Sequence, residues 1–384
     1  MNNDEPIKIL HVVGAMNRAG TETMLMNIYR NIDRNKVQFD FISYSQKGAH
    51  YDEEIKSLGG NVIRIPRTLS IKEHYQAIKI HGPYHAVHAH TLFHCGIAII
   101  AAVLAGVKIR ISHAHTTLDH NKSLIRKIYF HFMRFIINHL STNLLACSNG
   151  AGTYLFGKKA LLNEKYTYIP NVIDYSRFLN VPISDVKCFK DEESLDKSLV
   201  IGHIGRFIEA KNHMFLLEIL KQVIKNDPTI KLLLVGDGDL RNHIEEQAKK
   251  DGIYEQINFV GVKDNIPTML HSMDVFVFPS LYEGLGLVLL EAQACGVPCI
   301  VSEAIQPEAD LKMGLVTKLP LAKGSEVWAD NIIEIAGKKE KDINKIIQCF
   351  DDNGYSLTEG ISRLFAIYKT NDGEVYERAA NSFI

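Results

Sequence analysis

The chain has 384 residues, 46% of them hydrophobic and 23% charged, which is the profile of a globular protein with room for two domains and excludes a disordered or fibrous chain. The net charge of −1 conceals an asymmetry: residues 1–190 hold 23 Lys and Arg against 13 Asp and Glu, and residues 191–384 hold 20 against 31. The amino half therefore suits an anionic partner, such as a membrane surface or a pyrophosphate-bearing molecule, and no nucleic-acid partner is expected.

Six cysteines occur without a Cys-x-x-Cys pair, which points to a reducing compartment and no structural zinc. The start, Met1-Asn2-Asn3-Asp4-Glu5, is acidic where a signal peptide would be basic. The longest apolar run, Gly96 to Val107, is roughly half of what a bilayer crossing needs. A cytoplasmic protein is expected, at most peripheral on the inner face of a membrane.

Ile7 to Val13 reads as a strand, and the loop Gly14 to Gly20 leads into a helix from Thr21 to about Asn31. Strands follow at Phe39–Tyr44, Val62–Ile65, Ala86–His90, Lys108–Ser112 and Leu144–Ser148. Helices alternate with them at Tyr51–Leu58, Ile71–Lys79, Gly96–Ala105, Lys122–Leu140 and Ala151–Phe156. Such alternation implies a parallel sheet covered on both faces. In the Lys122–Leu140 helix, Lys122, Arg126, Phe130 and Arg134 recur every four residues and share one face. That face reads either as a solvated side of a core helix or as a surface for a membrane or a lipid-linked acceptor.

The charged segment Val181 to Lys197 lacks periodicity and reads as a linker, giving domains at 1–180 and 199–358, a linker at 181–198, and a last helix over 359–384. Strands resume at Leu199–Ile204, Ile230–Val235, Ile257–Val260, Asp274–Phe278 and Cys299–Val301. Helices are predicted at Met214–Lys225, Leu240–Lys249, Ile266–His271, Leu287–Ala294 and Val327–Gly337, with another after Ser356. Sequence does not repeat between the halves, although the architecture does.

Four loops can carry chemistry. Gly14 and Gly20 do not have the G-x-G-x-x-G spacing of a dinucleotide site, and no acidic residue ends the second strand, so a nicotinamide enzyme is disfavoured. Gly205-Arg206 with Lys211 places two cations between a strand and a helix, which suits a diphosphate. His113-Ala114-His115 follows a strand; with no acidic or thiol neighbour the metal reading is weak, and a hydrogen bond to a substrate hydroxyl or help in proton transfer fits better. His88 and His90 on the neighbouring strand read as structural. The stretch Pro279 to Ala292 sets Glu283 in a glycine-bearing turn and Glu291 on the next helix, at the strand end where parallel sheets bind ligands. Glycosidases also use two carboxylates. Here both come from one turn and its helix, beside a cationic site. That favours an activated sugar nucleotide, with Glu291 accepting from a ribose diol and Glu283 from sugar hydroxyls.

Ser280 to Pro298, with Glu283 and Glu291 eight positions apart and Glu291-Ala292-x-Ala294-x-Gly296-x-Pro298, resembles the signature of glycosyltransferase family 4. Gly205-Arg206 with Lys211, the Gly14…Gly20-Thr21-Glu22 segment and His113-Ala114-His115 also match, so the resemblance spans essentially the whole chain, nearest to bacterial capsular and exopolysaccharide transferases. Ala19 stands where many members carry a second glycine. The resemblance implies an α/β GT-B fold: two Rossmann-like parallel-sheet domains facing each other across a cleft, with the last helix crossing back to the first domain. It implies that Arg206 and Lys211 hold the donor diphosphate without metal or other cofactor. By the same resemblance Glu291 binds the ribose and Glu283 the sugar, Gly284, Leu285 and Gly286 lie along sugar and phosphate, and Val262 sits beside the base. His115, or in its place His113, is the implied active-site histidine. The implied reaction moves a sugar from a UDP-sugar, with retention, to a lipid-linked saccharide. A UDP-sugar 2-epimerase and a silent sugar-nucleotide-binding protein are the alternatives.

Overall fold

The computed structural model describes residues 6–117 and 124–368, with the side chains of residues 124 and 125 left aside. The chain divides into two units, residues 1–173 with 354–384, and residues 174–353.

The first unit is built on a seven-stranded sheet: β1 (Ile7–Val13), β2 (Val37–Ser43), β3 (Val62–Arg64), β4 (Ala86–Ala89), β5 (Ile109–Ala114), β6 (Asn143–Ala146) and β7 (Tyr166–Tyr168). Its order is β3-β2-β1-β4-β5-β6-β7, and every pairing is parallel. The central strands are apolar and buried on both sides because helices cover both faces. Strand order reverses between β1 and β4, so the loops after these two strands diverge and leave a crevice at the sheet's carboxyl edge.

The second unit repeats the plan with six strands: β8 (Val200–Ile204), β9 (Lys231–Val235), β10 (Ile257–Gly261), β11 (Val275–Phe278), β12 (Cys299–Ser302) and β13 (Val316–Leu319). The order is β10-β9-β8-β11-β12-β13, again all parallel, and the reversal falls between β8 and β11. Its core gathers Ile201, Leu232, Leu234, Val275, Val277 and Ile300 from the strands with Leu216, Leu220 and Trp328 from the helices. The Trp328 ring is fully buried, stands edge-on to Phe215, and donates its indole N–H to the Pro320 carbonyl at 3.2 Å.

Three expectations need correction. The segment 181–198 is not a linker: Ile183–Glu192 forms a helix that belongs to the second unit and packs against the helix Ile266–Ser272. Its burial is slight, with Phe189 its only buried residue, which explains the lack of a visible period. The short strands β7 and β13 have no predicted counterpart, because edge strands are half-exposed and carry polar residues such as Thr167 and Lys318. The helix Ile343–Asp352 was likewise hidden by charged flanks, although Asp342 caps it by accepting from the N–H groups of Asn344 and Lys345. The final helix is described over Leu357–Tyr368 and groups with residues 1–173; the rest of the expected 359–384 helix lies outside the described residues.

Candidate active site

In the second unit the loops after β8 and β11, neighbours at the point where strand order reverses, are stitched together. The Leu281 N–H donates to the Ala210 carbonyl at 2.8 Å, and the Asn212 side chain donates to the Pro279 carbonyl at 3.1 Å. Asn212 is left-handed (φ 55°), a conformation that asparagine tolerates better than most side chains. The consequence is one rigid platform on which Lys211 and Glu283 meet: Lys211 Nζ lies 2.6 Å from Glu283 Oε1, with both side chains mostly buried. The same ammonium sits 4.5 Å from the centre of the Phe278 ring.

The glycines of these loops have physical reasons. A side chain at Gly205 would press on the Lys211 stem, at 3.2 Å from both Cδ and Cε. Gly286 takes φ 88° as the residue before the helix Leu287–Ala294, whose first turn has no side-chain cap. This helix end lies next to Gly284 and Leu285, both buried, and its Leu289 N–H donates to the Gly286 carbonyl at 2.9 Å. Arg206 is exposed beside the platform, and Val262 is exposed just past Gly261. Glu291 is half-buried one turn into the helix; burial pushes its carboxyl up to about 7, while Arg177 pulls the other way. Thus Lys211 and Arg206, Glu283, a helix N-terminus and Glu291 are grouped at one sheet edge.

Sequence reasoning missed Arg177, Asn212 and His203. His203 is buried, hydrogen-bonds the Val277 carbonyl through Nδ1 at 2.9 Å, and is held neutral by burial. Asn212 had a legible signal, an asparagine directly before a helix; Arg177 had none, since only folding brings it near Glu291.

In the first unit Gly14 is exposed, and its carbonyl accepts the N–H groups of Tyr44 and Ser45 at 3.0 Å each. Gly20 is exposed and opens the helix Gly20–Asn31. Ala19 before it is extended (φ −138°), a conformation open to any residue, so its methyl is no obstacle there. The structure brings five histidines together. Strand register sets His11 opposite His88, and the two-residue period then puts His90, His113 and His115 on the same face. His90 bonds His11 at 3.1 Å and His115 at 2.9 Å; His88 bonds His113 at 3.2 Å and the Tyr368 hydroxyl at 2.8 Å. Burial drives His11 and His115 down to about 3 and the other three well below the ordinary histidine value, so all five rings are neutral. His88 and His90, read as structural, belong to two hydrogen-bonded chains, His11–His90–His115 and Tyr368–His88–His113, whose rings pack against each other.

The basic face expected on the helix Leu124–Leu140 is also corrected. Arg134 turns inward and donates to the carbonyls of Tyr154 (2.6 Å) and Leu155 (3.1 Å), at the end of the helix Asn149–Phe156. Arg126 lies over the Phe130 ring, and Lys122 is outside the described residues. This helix exposes Ile128, Phe132 and Phe135 together with Lys127, His131 and His139. Among the described residues no helix is long and apolar enough to cross a membrane.

Comparison with known proteins agrees with this geometry. Residues 18–177 match the family model described as Glycosyltransferase Family 4, and residues 187–348 the model described as Glycosyl transferases group 1. EpsF of Bacillus subtilis (strain 168), which carries a glycosyltransferase name, is 38% identical over 98% of this chain and 100% of its own. The UDP-Gal:alpha-D-GlcNAc-diphosphoundecaprenol alpha-1,3-galactosyltransferase of Escherichia coli is 29% identical over 82% of each chain. The crystal structure of Anabaena Alr3699/HepE in complex with UDP-glucose superposes with a TM-score of 0.70 at 19% identity, over 98% of this chain and 99% of that one, which establishes the shared fold. With two parallel sheets of Rossmann type and these relatives, the chain belongs to glycosyltransferase family 4, is a glycosyltransferase, and has the GT-B fold.

Proposed function

We propose that this enzyme moves a sugar from a UDP-sugar to a lipid-linked saccharide in capsular or exopolysaccharide synthesis, with retention of anomeric configuration and without a metal ion or other cofactor. The observation that carries the reading is the Lys211–Glu283 contact at the carboxyl ends of β8 and β11, with Arg206 exposed beside it. Before donor binding, Glu283 holds the lysine in place. An arriving diphosphate offers Lys211 a stronger, doubly charged partner. The exchange frees Glu283 to accept hydrogen bonds from the sugar hydroxyls. As the glycosidic bond to the diphosphate breaks, negative charge grows on the leaving oxygen, where Lys211 and Arg206 stabilise it. Two fixed cations fill the part that a metal ion plays elsewhere, so chelators leave transfer intact. Glu291 accepts from the ribose diol, and His115, or His113, faces the acceptor hydroxyl.

The UDP donor and the lipid diphosphate acceptor are supported by the name of the Escherichia coli relative. Membrane contact in this reading runs through Ile128, Phe132 and Phe135, with exposed Lys127 alongside for anionic headgroups. The enzyme assay follows release of UDP and labelled sugar transfer to a lipid extract, with purified wild type and Lys211→Ala. The variant should lose about 10²-fold or more in kcat. Undiminished turnover would remove the leaving-group assignment.

A further inference from the structure

We infer that Arg241 selects the base of the donor nucleotide: it accepts uracil or guanine, whose ring carbonyl takes an N–H, and rejects cytosine and adenine, which present an amino group in that place. The inference rests on the reading of Lys211 and Arg206 as a diphosphate platform and adds the residue that reads the nucleoside.

From that platform the carboxyl edge of the sheet runs outward from β8 through β9 to β10, the edge strand. Two strand spacings come to about 10 Å, a distance that a nucleoside bridges between its phosphates and its base. The three strand ends are tied into one surface. The Phe207 N–H donates to the Asp237 carbonyl at 3.0 Å, the Leu240 N–H to the Phe207 carbonyl at 3.0 Å, and the Gly236 N–H to the Gly261 carbonyl at 2.8 Å. The pairing of β10 with β9 shifts register between Phe259 and Gly261, and Gly261 is left-handed (φ 71°). Val262 follows with 48% of its surface exposed and offers an apolar face to a flat ring.

Arg241 lies across this surface. Its guanidinium carbon is 5.7 Å from the centre of the Phe207 ring and 5.3 Å from that of Phe259. Nε donates to Glu245 Oε1 at 2.6 Å, and Nη2 to the Phe259 carbonyl at 3.4 Å. Nη1 has no hydrogen-bond partner among the described residues. It is also the atom nearest to where a Cβ on Gly261 would stand, at 3.9 Å. The glycine thus leaves the unused edge of a fixed guanidinium open to a ring lying on Gly261 and Val262. Arg241 opens the helix Arg241–Lys250, where a cation runs against the helix dipole. A local rule broken in this way is expected where a ligand is bound.

The donor set decides the base. An arginine nitrogen only donates. Uracil O4 and guanine O6 accept, whereas the amino groups of cytosine and adenine set donor against donor. Lysine cannot stand in, because its ammonium is a point charge on a flexible stem rather than a planar fork.

The test needs neither acceptor nor turnover. Full-length protein is titrated by calorimetry with UDP, GDP, CDP and ADP. Wild type should bind UDP or GDP about 10–100-fold more tightly than CDP and ADP. Arg241→Leu and Arg241→Lys should both lose that preference and bind CDP as wild type does. The lysine variant keeps the charge, so its loss separates base reading from general attraction of the diphosphate. Lys211→Ala should weaken all four alike and keep their ratio. Far-ultraviolet circular dichroism confirms that each variant is folded; if Arg241→Leu is not, Arg241→Lys carries the comparison. Equal wild-type affinity for UDP and CDP, or a UDP preference kept in a folded Arg241 variant, overturns the inference and leaves the diphosphate platform standing. Binding of none of the four removes the platform reading, and this inference with it.

Discussion

Glu291 shows most clearly how position alters a residue's chemistry. Burial raises its carboxyl from 4.5 to about 7 in the folded chain, so the native state holds a proton that the unfolded chain has released. Its contribution to stability is fully present below pH 4.5 and is lost as pH rises through 7. Urea unfolding should show the wild type losing stability from pH 5 to pH 8 more steeply than Glu291→Gln, and parallel slopes would contradict this. Ribose hydroxyls that donate to the carboxylate favour its charged form. UDP binding at pH 7 should therefore release a proton, seen by calorimetry in two buffers of different ionisation enthalpy, and the release should vanish in Glu291→Gln. Lys211 and Glu283 carry the opposite lesson. The sequence marks both as candidate site residues, yet not as each other's partner, because the link between their loops runs through the Leu281–Ala210 and Asn212–Pro279 bonds.

At the scale of elements, the strands and helices that bury a full apolar face were legible in the sequence. The helix Leu287–Ala294 and strand β1 lie where the apolar pattern puts them. The elements that escaped, β7, β13 and the helix Ile183–Glu192, bury little of their surface and so leave no period to read. Close backbone approaches were equally invisible. Gly236, at the end of β9, takes φ 132°, and a Cβ there would sit 2.1 Å from the Gly205 carbonyl oxygen. Gly236→Ala should cost at least about 2 kcal/mol and lower Tm, because the clash is with backbone that cannot swing aside. Gly252→Ala, at φ 70° with nothing near its Cβ, should cost only about 1 kcal/mol. Arg134 was misplaced because four-residue spacing identifies a shared face but not what covers it. Arg134→Ala should destabilise the fold by about 1–2 kcal/mol through two lost bonds to helix-end carbonyls, yet leave binding to anionic vesicles unchanged. The pair Phe132→Ser with Phe135→Ser should do the reverse, in a vesicle sedimentation assay.

At the scale of the whole chain, the same doubly wound plan is built twice from unrelated sequence. In both units strand order reverses beside the first strand, β1 or β8, and in both the candidate site residues follow the strands at that reversal. In the second unit they are Lys211, Glu283 and Glu291; in the first they are the histidines of β4 and β5 and the residues after them. Alternation of strand and helix made this architecture readable, and the motif residues marked the loops after β8 and β11 that the structure joins. The five-histidine cluster was not readable, because it depends on register across three strands. The claim on which the account turns is that Lys211 and its platform bind the diphosphate of a nucleotide sugar. Thermal denaturation of wild type and Lys211→Ala against a panel of UDP- and GDP-sugars tests it directly. A donor at 100 times its Kd stabilises the fold by about 2.7 kcal/mol, so one UDP-sugar should raise the wild-type Tm by several degrees and leave Lys211→Ala unmoved. Equal shifts in the two proteins would contradict the account.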